Sequence, residues 1–309
     1  MQNIVAILKI VLPLLLSLGI GFYARKRNIL SPEAIDGMKT FVMRFALPAM
    51  LFGLFFTAEY SVSILLFAAT MFALGYLGLG IGFLIGRPLE KRSPMLKFMT
   101  AGWEVGMLGY ALYALLYGTE NLRYMALMDF GQVLFVFTGF VTALNARNGR
   151  GLKESLRSLL PNPIPWSMLV GAILAVLGVS RALEPSGVTG LITSVCNFIA
   201  APLSCVIFVV VGYGIEFSRK NIATAVLAVA IRTVVCGVLC VLALFFIGLF
   251  VPLSEPMHWA IVLIFITPAP FILTMYTKTE QERADVSMSL SLQTIASVLA
   301  FIVIAIIRQ

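Results

Sequence analysis

Charge is what this sequence has least of. Only 12% of its 309 residues are Asp, Glu, Lys or Arg, and there is one histidine, His258. A water-soluble domain of this length needs far more polar surface, so a soluble fold is excluded. One histidine at an expected helix end argues against a histidine-based metal centre. No Ser/His, paired-Asp or metal-ligand spacing stands out either, which argues against an enzyme. The four cysteines, Cys196, Cys205, Cys236 and Cys240, all fall in apolar runs and read as small buried thiols. No metal or cofactor is expected. Hydrophilic stretches long enough for a separate soluble domain are also missing.

What fills the chain instead is apolar sequence. Hydrophobic residues make up 60% of the whole, and the mean hydropathy is +1.00. A helix crossing roughly 30 Å of hydrocarbon needs about 20 mostly apolar residues. Runs of that size recur near residues 4–24, 40–58, 62–86, 96–118, 123–146, 164–180, 187–215, 221–251, 258–277 and 284–307. The expected fold class is an all-α integral membrane protein with ten transmembrane helices. The first run is apolar and then basic, the reverse of a cleavable signal peptide, and is taken as a retained span.

The net charge of +8 does not point to nucleic acid, because the basic residues sit in short connectors. Arg25, Lys26, Arg27 and Lys39 follow the first span; Arg87, Lys91, Arg92 and Lys97 follow the third. Arg147, Arg150, Lys153 and Arg157 follow the fifth, Arg219 and Lys220 the seventh, and Lys278 and Arg283 the ninth. The opposite connectors hold only Arg123 and Arg181. The positive-inside rule then puts the odd-numbered connectors in the cytoplasm. Both termini are expected on the extracytoplasmic side of a cell inner membrane.

Residues 149–163 read as a cytoplasmic amphipathic linker. Leu152, Leu156, Leu159 and Leu160 share one helical face opposite Lys153, Glu154 and Arg157. It separates a first five-span unit, residues 1–148, from a second, residues 164–309. Five is odd, so a duplicated unit inserts upside down relative to its partner. Echoes support a duplication: Arg27 to Pro32 is followed by Pro48, and Arg181 to Pro185 by Pro202. Inverted repeats are a feature of carriers, whose sites lie where midplane helices break. The fourth span, with Glu104, Gly106 and Gly109, and the ninth, with Thr267, Pro268 and Pro270, are the expected breaks.

The stretch from Ile29 through Ser31, Pro32, Glu33, Asp36, Lys39, Arg44 and Pro48 to Phe52 resembles the first-half signature of the auxin efflux carrier family. Leu159 to Pro165, leading into Leu169 to Leu174, is similar to that family's entry into its second half, and Gly106 to Gly109 resembles its fourth-span motif. The likeness extends over the whole chain. It implies two inverted five-helix repeats with broken, crossed fourth and ninth helices. It also implies transport of small organic anions, and the short, loop-poor chain is similar to the bacterial relatives that carry malonate- or malate-type acids. One position departs: Glu104 stands where the family motif usually has asparagine. An ionised glutamate repels an anion unless a proton or cation accompanies it.

Ionisable groups inside spans face a cavity or a partner. Glu104 is a candidate proton carrier or cation ligand, or else a structural partner for a nearby group. Asp129 lies in the outer part of span five, with Gln132 on the same face as a possible donor to a substrate carboxylate. Arg232, mid-span in the eighth helix, either holds a carboxylate substrate or pairs with Glu104 or Asp129. Lys9 and Arg44 lie near span ends and can snorkel. Asn197 and Ser204 are further small polar candidates. The expected function is a secondary active transporter of a small mono- or dicarboxylate, coupled to H⁺ or Na⁺, by alternating access; a channel or membrane sensor is the alternative. Partners are the substrate, the coupling ion and the lipid bilayer, with a homodimer left open.

Overall fold

The structure, a computed structural model, describes residues 2–58, 62–149, 153, 157, 160–215 and 222–308. Helices and their connectors make up these residues, with no strand among them. Eight helices are long and apolar enough to cross a membrane, and two shorter apolar helices accompany them. In chain order they are α1 (Gln2–Lys26), α2 (Pro32–Phe56), α3 (Val62–Gly86), α4 (Val105–Tyr117), α5 (Thr119–Arg147) and α6 (Pro163–Val176). Then follow α7 (Val188–Gly214), α8 (Ile222–Gly248), α9 (Glu255–Ile266, which reaches spanning length only together with the turn that carries it on to Tyr276) and α10 (Glu280–Ile307). Most of the expected amphipathic linker, and Arg219 with Lys220, lie outside the described residues.

Local chemistry sets the helix ends. Ser31 accepts a hydrogen bond from Ala34 N, with Pro32 at the first helical position, so α2 begins well before residue 40. Asn162 caps α6 the same way through Ile164 N, again with proline next. Thr279 accepts from Glu282 N at the start of α10. Prolines inside spans leave marks. In α2 a wide π turn, Val42–Ala46, precedes Pro48, and α7 is interrupted at Ala201 and Pro202. Each proline removes one backbone donor, and the turn beside it re-registers the ladder.

The helices sort into two bodies by what they touch. In one, α1 packs along the Leu203–Gly214 half of α7, while the Leu47–Phe56 half of α2 packs on α6 and on the first half of α7. In the other, α3 packs on α5, α8 on α10, and α8 also meets α3 and α9. Hydrocarbon offers helices no apolar advantage over lipid, so tight backbone approach has to hold them. Glycine permits it between α1 and α7. A Cβ at Gly212 would lie 2.1 Å from Leu18 O, and one at Gly21 2.0 Å from Val209 O. The outward faces carry large apolar side chains such as Leu16, Phe198 and Val234, all more than half exposed in the isolated chain.

Side-chain bonds tie the ends of the helices together on two opposite sides. On one, Arg25 Nη1 donates to Tyr213 O (3.3 Å) and Ile215 O (3.2 Å), Arg92 Nε meets Thr224 Oγ1, and Arg147 pairs with Glu282. This is the side of the basic connectors. On the other, Tyr117 OH donates to Glu255 Oε1 (2.8 Å), and Arg308 lies over the Tyr117 ring and reaches the same carboxylate.

Candidate functional site

Both interrupted segments run through the middle of the molecule and meet there. The chain before α4 is a short tight turn, Leu96–Phe98, then irregular backbone to Glu104; helix begins only at Val105. The through-helix expected over 96–118 is therefore corrected: its first half is not helical. Gly106 and Gly109, read from the sequence as the break, sit inside the opening π turn of α4. The break is at Gly102, whose φ is +70°. In the partner segment α9 stops at Ile266, and Thr267 to Pro270 are irregular backbone, with Thr267 extended, before a tight turn over Phe271–Tyr276. Pro268 and Pro270 remove the donors that would have continued α9.

Hydrogen bonds lace the two breaks. Glu104 N donates to Pro268 O (2.9 Å). The Glu104 carboxylate accepts from Met107 N through Oε1 (3.1 Å), capping α4, and from Phe271 N through Oε2 (2.6 Å), across the crossing. Ala269 N donates to Gln293 Oε1 of α10 (2.9 Å). Arg232 of α8 supplies the remaining donors to Met99 O (2.8 Å), Gly102 O (2.9 Å) and Thr267 O (2.9 and 3.2 Å). No hydrogen bond or ion pair to Glu104 or Asp129 accompanies these, so the pairing expected for Arg232 gives way to backbone carbonyls. Broken helices leave unpaired carbonyls, and a guanidinium fork is shaped to collect them.

A cavity of about 930 Å³ reaches this crossing from the side of the basic connectors. Met43, Leu47, Asn162, Ile164, Val210 and Val211 line it from one body. Trp103, Glu104, Gly106, Asp129, Gln132, Pro270, Ser291 and Thr294 line it from the other. Asp36, Lys39 and Tyr276 lie toward its mouth. On the far side of Glu104 the bodies close: the Tyr110–Tyr117 part of α4 packs on the Leu203–Gly214 half of α7, and Phe55 lies 5.8 Å from Phe130. The cavity thus lies along the seam between the two bodies.

Of the residues singled out from the sequence, Glu104, Gly106, Asp129, Gln132 and Pro270 line the cavity, while Gly109, Arg232, Thr267 and Pro268 stand behind it. Lys9, Arg44 and Asn197 are exposed and Ser204 half-buried, away from this lining. Asp129 is held by two donors, Tyr110 OH (2.8 Å) to Oδ2 and Gln132 Nε2 (3.2 Å) to Oδ1. Gln132 Nε2 also donates to Trp103 O (2.9 Å). Two acceptors around one nitrogen fix which way the amide points, and they leave Gln132 Oε1 buried without a partner. Trp103 Nε1 is a buried donor in the same condition.

Sequence reasoning passed over Trp103 and Tyr110. Trp103 had a signal, being next to Glu104. Tyr110 had none, since its partner lies 19 positions on. Replacing Tyr110 by phenylalanine should leave a buried carboxylate short of a donor and cost about 1–3 kcal/mol. The thermal midpoint of purified protein would report it; an unchanged midpoint would remove Tyr110 from the structure of the site.

Comparison with known proteins identifies the family. Residues 6–305 match the family described as membrane transport protein, the auxin efflux carrier family. A protein of Methanothermobacter thermautotrophicus (strain Delta H), described as an uncharacterized transporter, is 24% identical over 232 residues, covering 73% of this chain and 74% of that one. With apolar helices throughout and a match over nearly its full length, the chain is a multi-pass membrane protein that belongs to the membrane transport protein family of auxin efflux carriers.

Proposed function

We propose that this protein is a secondary active carrier of a small organic anion, a mono- or dicarboxylate, that crosses with H⁺ or Na⁺ by alternating access. One observation carries the reading: a cavity on the seam between two helix bodies ends at crossed, broken helices and is sealed beyond them. Sliding or rocking of one body against the other opens the far side and closes the near one without unfolding either. Carboxylates at the crossing give a coupling cation a place to bind.

The span plan fits five plus five in opposite orientation. Packing of α1 on α7 has its counterpart in α6 on α2, and α3 on α5 in α8 on α10. The breaks before α4 and after α9 correspond, as do the turns beside Pro48 and Pro202. By the positive-inside rule the cavity mouth, with the basic connectors, faces the cytoplasm of a cell inner membrane and both termini face out. The structure then corresponds to an inward-open state.

Purified protein in proteoliposomes should accumulate radiolabelled acetate, lactate or succinate saturably, and faster under an imposed pH or Na⁺ gradient. Flux that never saturates, with single-channel currents, would instead identify a channel. No flux and no gradient response with any of these acids would sink the carboxylate assignment.

A further inference from the structure

Glu104 occupies the place where a substrate carboxylate would be expected to bind. Its two oxygens take Met107 N, near the start of the thirteen-residue helix α4, and Phe271 N from the other side of the crossing. Backbone N–H groups at the start of a helix favour anions, and carriers use such ends to hold substrate carboxylates. Here the protein fills that seat with its own anion. Two further atoms nearby have no partner: the acceptor Gln132 Oε1 and the donor Trp103 Nε1, on residues that are 4% and 1% exposed and line the same cavity. Buried polar atoms of this kind are rare and want an explanation.

One exchange accounts for all four groups. We propose that Glu104 is a tethered competitor for the substrate, and that each carboxylate bound brings one proton onto Glu104. The substrate carboxylate accepts from Met107 N, Phe271 N and Trp103 Nε1. Glu104 gives up its two N–H bonds, takes a proton that reaches it from bulk solution as hydronium through the open cavity, leaving neutral water, and turns to donate its new O–H to Gln132 Oε1. No covalent bond beyond that O–H forms, and the site gains no net charge, because one proton enters with one carboxylate. Leaving reverses the steps, so Glu104 returns to the seat of the empty carrier. The idea rests on the carboxylate reading above and gives that reading its coupling step.

The other charged and titratable groups around Glu104 come from several elements. Asp129 of α5 is held by Tyr110 of α4 and by Gln132; Arg232 of α8 makes four hydrogen bonds, all to backbone carbonyls. Asp36 and Lys39 of α2 pair with each other at the mouth, near Tyr276. From α7 the lining is Val210, Val211 and Gly214, and from α10 it is Ser287, Leu290, Ser291 and Thr294, none of them charged. Asp129 keeps its two donors whether or not Glu104 moves. Asp129 also feels the charge on Glu104, so Asp129→Asn is titrated alongside: proton uptake that survives in Asp129→Asn and is lost in Glu104→Gln belongs to Glu104.

Binding of acetate, lactate and succinate is measured by titration calorimetry across a pH series, in buffers of differing ionisation enthalpy, for wild type and Glu104→Gln. Wild-type Kd should rise about tenfold per pH unit over the range where Glu104 is ionised, with about one proton taken up per carboxylate bound. Glu104→Gln mimics the protonated acid. It should bind with the wild type's low-pH affinity throughout, and its slope should fall by the one proton assigned to Glu104. Equal slopes in the two proteins overturn the competitor role and leave the carrier reading standing. Zero proton uptake in the wild type overturns it even if the variant fails to fold. Binding of none of these acids by either protein overturns both readings together.

Discussion

Arg232→Met should cost the protein most of its folded yield. The side chain is 4% exposed and binds three carbonyl oxygens from two separate chain breaks. Methionine preserves length and bulk, so the loss is in hydrogen bonding rather than packing. Met99 O, Gly102 O and Thr267 O would be left in a low-dielectric interior without those donors. A buried polar group left unpaired costs about 1–3 kcal/mol, and breaking a buried charged network typically costs about 3–5 kcal/mol. Relief from burying a guanidinium works the other way, but it dominates only when the partner groups are removed as well. Here the carbonyls stay. Against a typical folding free energy of roughly 5–15 kcal/mol this is a large fraction. Arg232→Lys should be intermediate, since an ammonium cannot reach three carbonyls in the plane of a fork. The measurement is monodisperse yield in detergent together with the thermal midpoint. A methionine variant within a few degrees of wild type would show that the crossing does not depend on these bonds.

That dependence could not be read from the sequence, and the reason is physical. Arg232 stands out as a charge in an apolar run, which signals that a partner exists. Residue type points to the carboxylates, because side-chain identity is all a sequence displays. The actual partners are main-chain carbonyls, and every residue has one. Proline is different. Pro268 and Pro270 announce their break because the missing donor is written in the residue itself. Glycine is ambiguous: Gly106 and Gly109 look like a weak point and are helical, while Gly102 adopts φ +70° and marks the true break. The apolar runs match the helices within a few residues except at α2, where the Ser31 cap sets an earlier start, and at α4 and α9, where the chain breaks leave helix only from Val105 and only to Ile266.

The cavity was legible only in part, for a related reason. Glu104, Asp129 and Gln132 are conspicuous as polar groups inside spans, and all three line it. What the sequence does not carry is how the helices pair across the seam. Leu47, Ile164 and Val210 form the opposite wall and are ordinary apolar residues in ordinary runs. Their contribution comes from the packing of α2, α6 and α7 into one body. Basic connectors, by contrast, are explicit in sequence. The structure gathers described members of that set, such as Arg25, Arg92 and Arg147, at one end of the molecule.

Gly102→Val is expected to abolish transport and sharply reduce folded protein, for two separable reasons. The first is conformational: φ of +70° is open to glycine but strained by about 1–2 kcal/mol for an ordinary residue, and worse for a β-branched one. The second is contact, since a Cβ there would lie 2.7 Å from Pro270 Cγ and 3.2 Å from Pro270 Cδ. Pro270 cannot retreat easily. Its ring is rigid, Ala269 N before it is tied to Gln293, and Phe271 N after it is tied to Glu104. Any shift of residue 102 also moves the carbonyl that Arg232 holds. Gly102→Ala should be milder, retaining some folded protein with a lowered thermal midpoint. A double-mutant cycle with Pro270→Ala separates the causes. Trimming the proline removes the clash but leaves the backbone strain, so Gly102→Ala should cost less in the Pro270→Ala background, yet still more than nothing. Purely additive effects would mean that the two breaks do not press on each other. Wild-type transport by Gly102→Val would go further and refute the crossing at this residue.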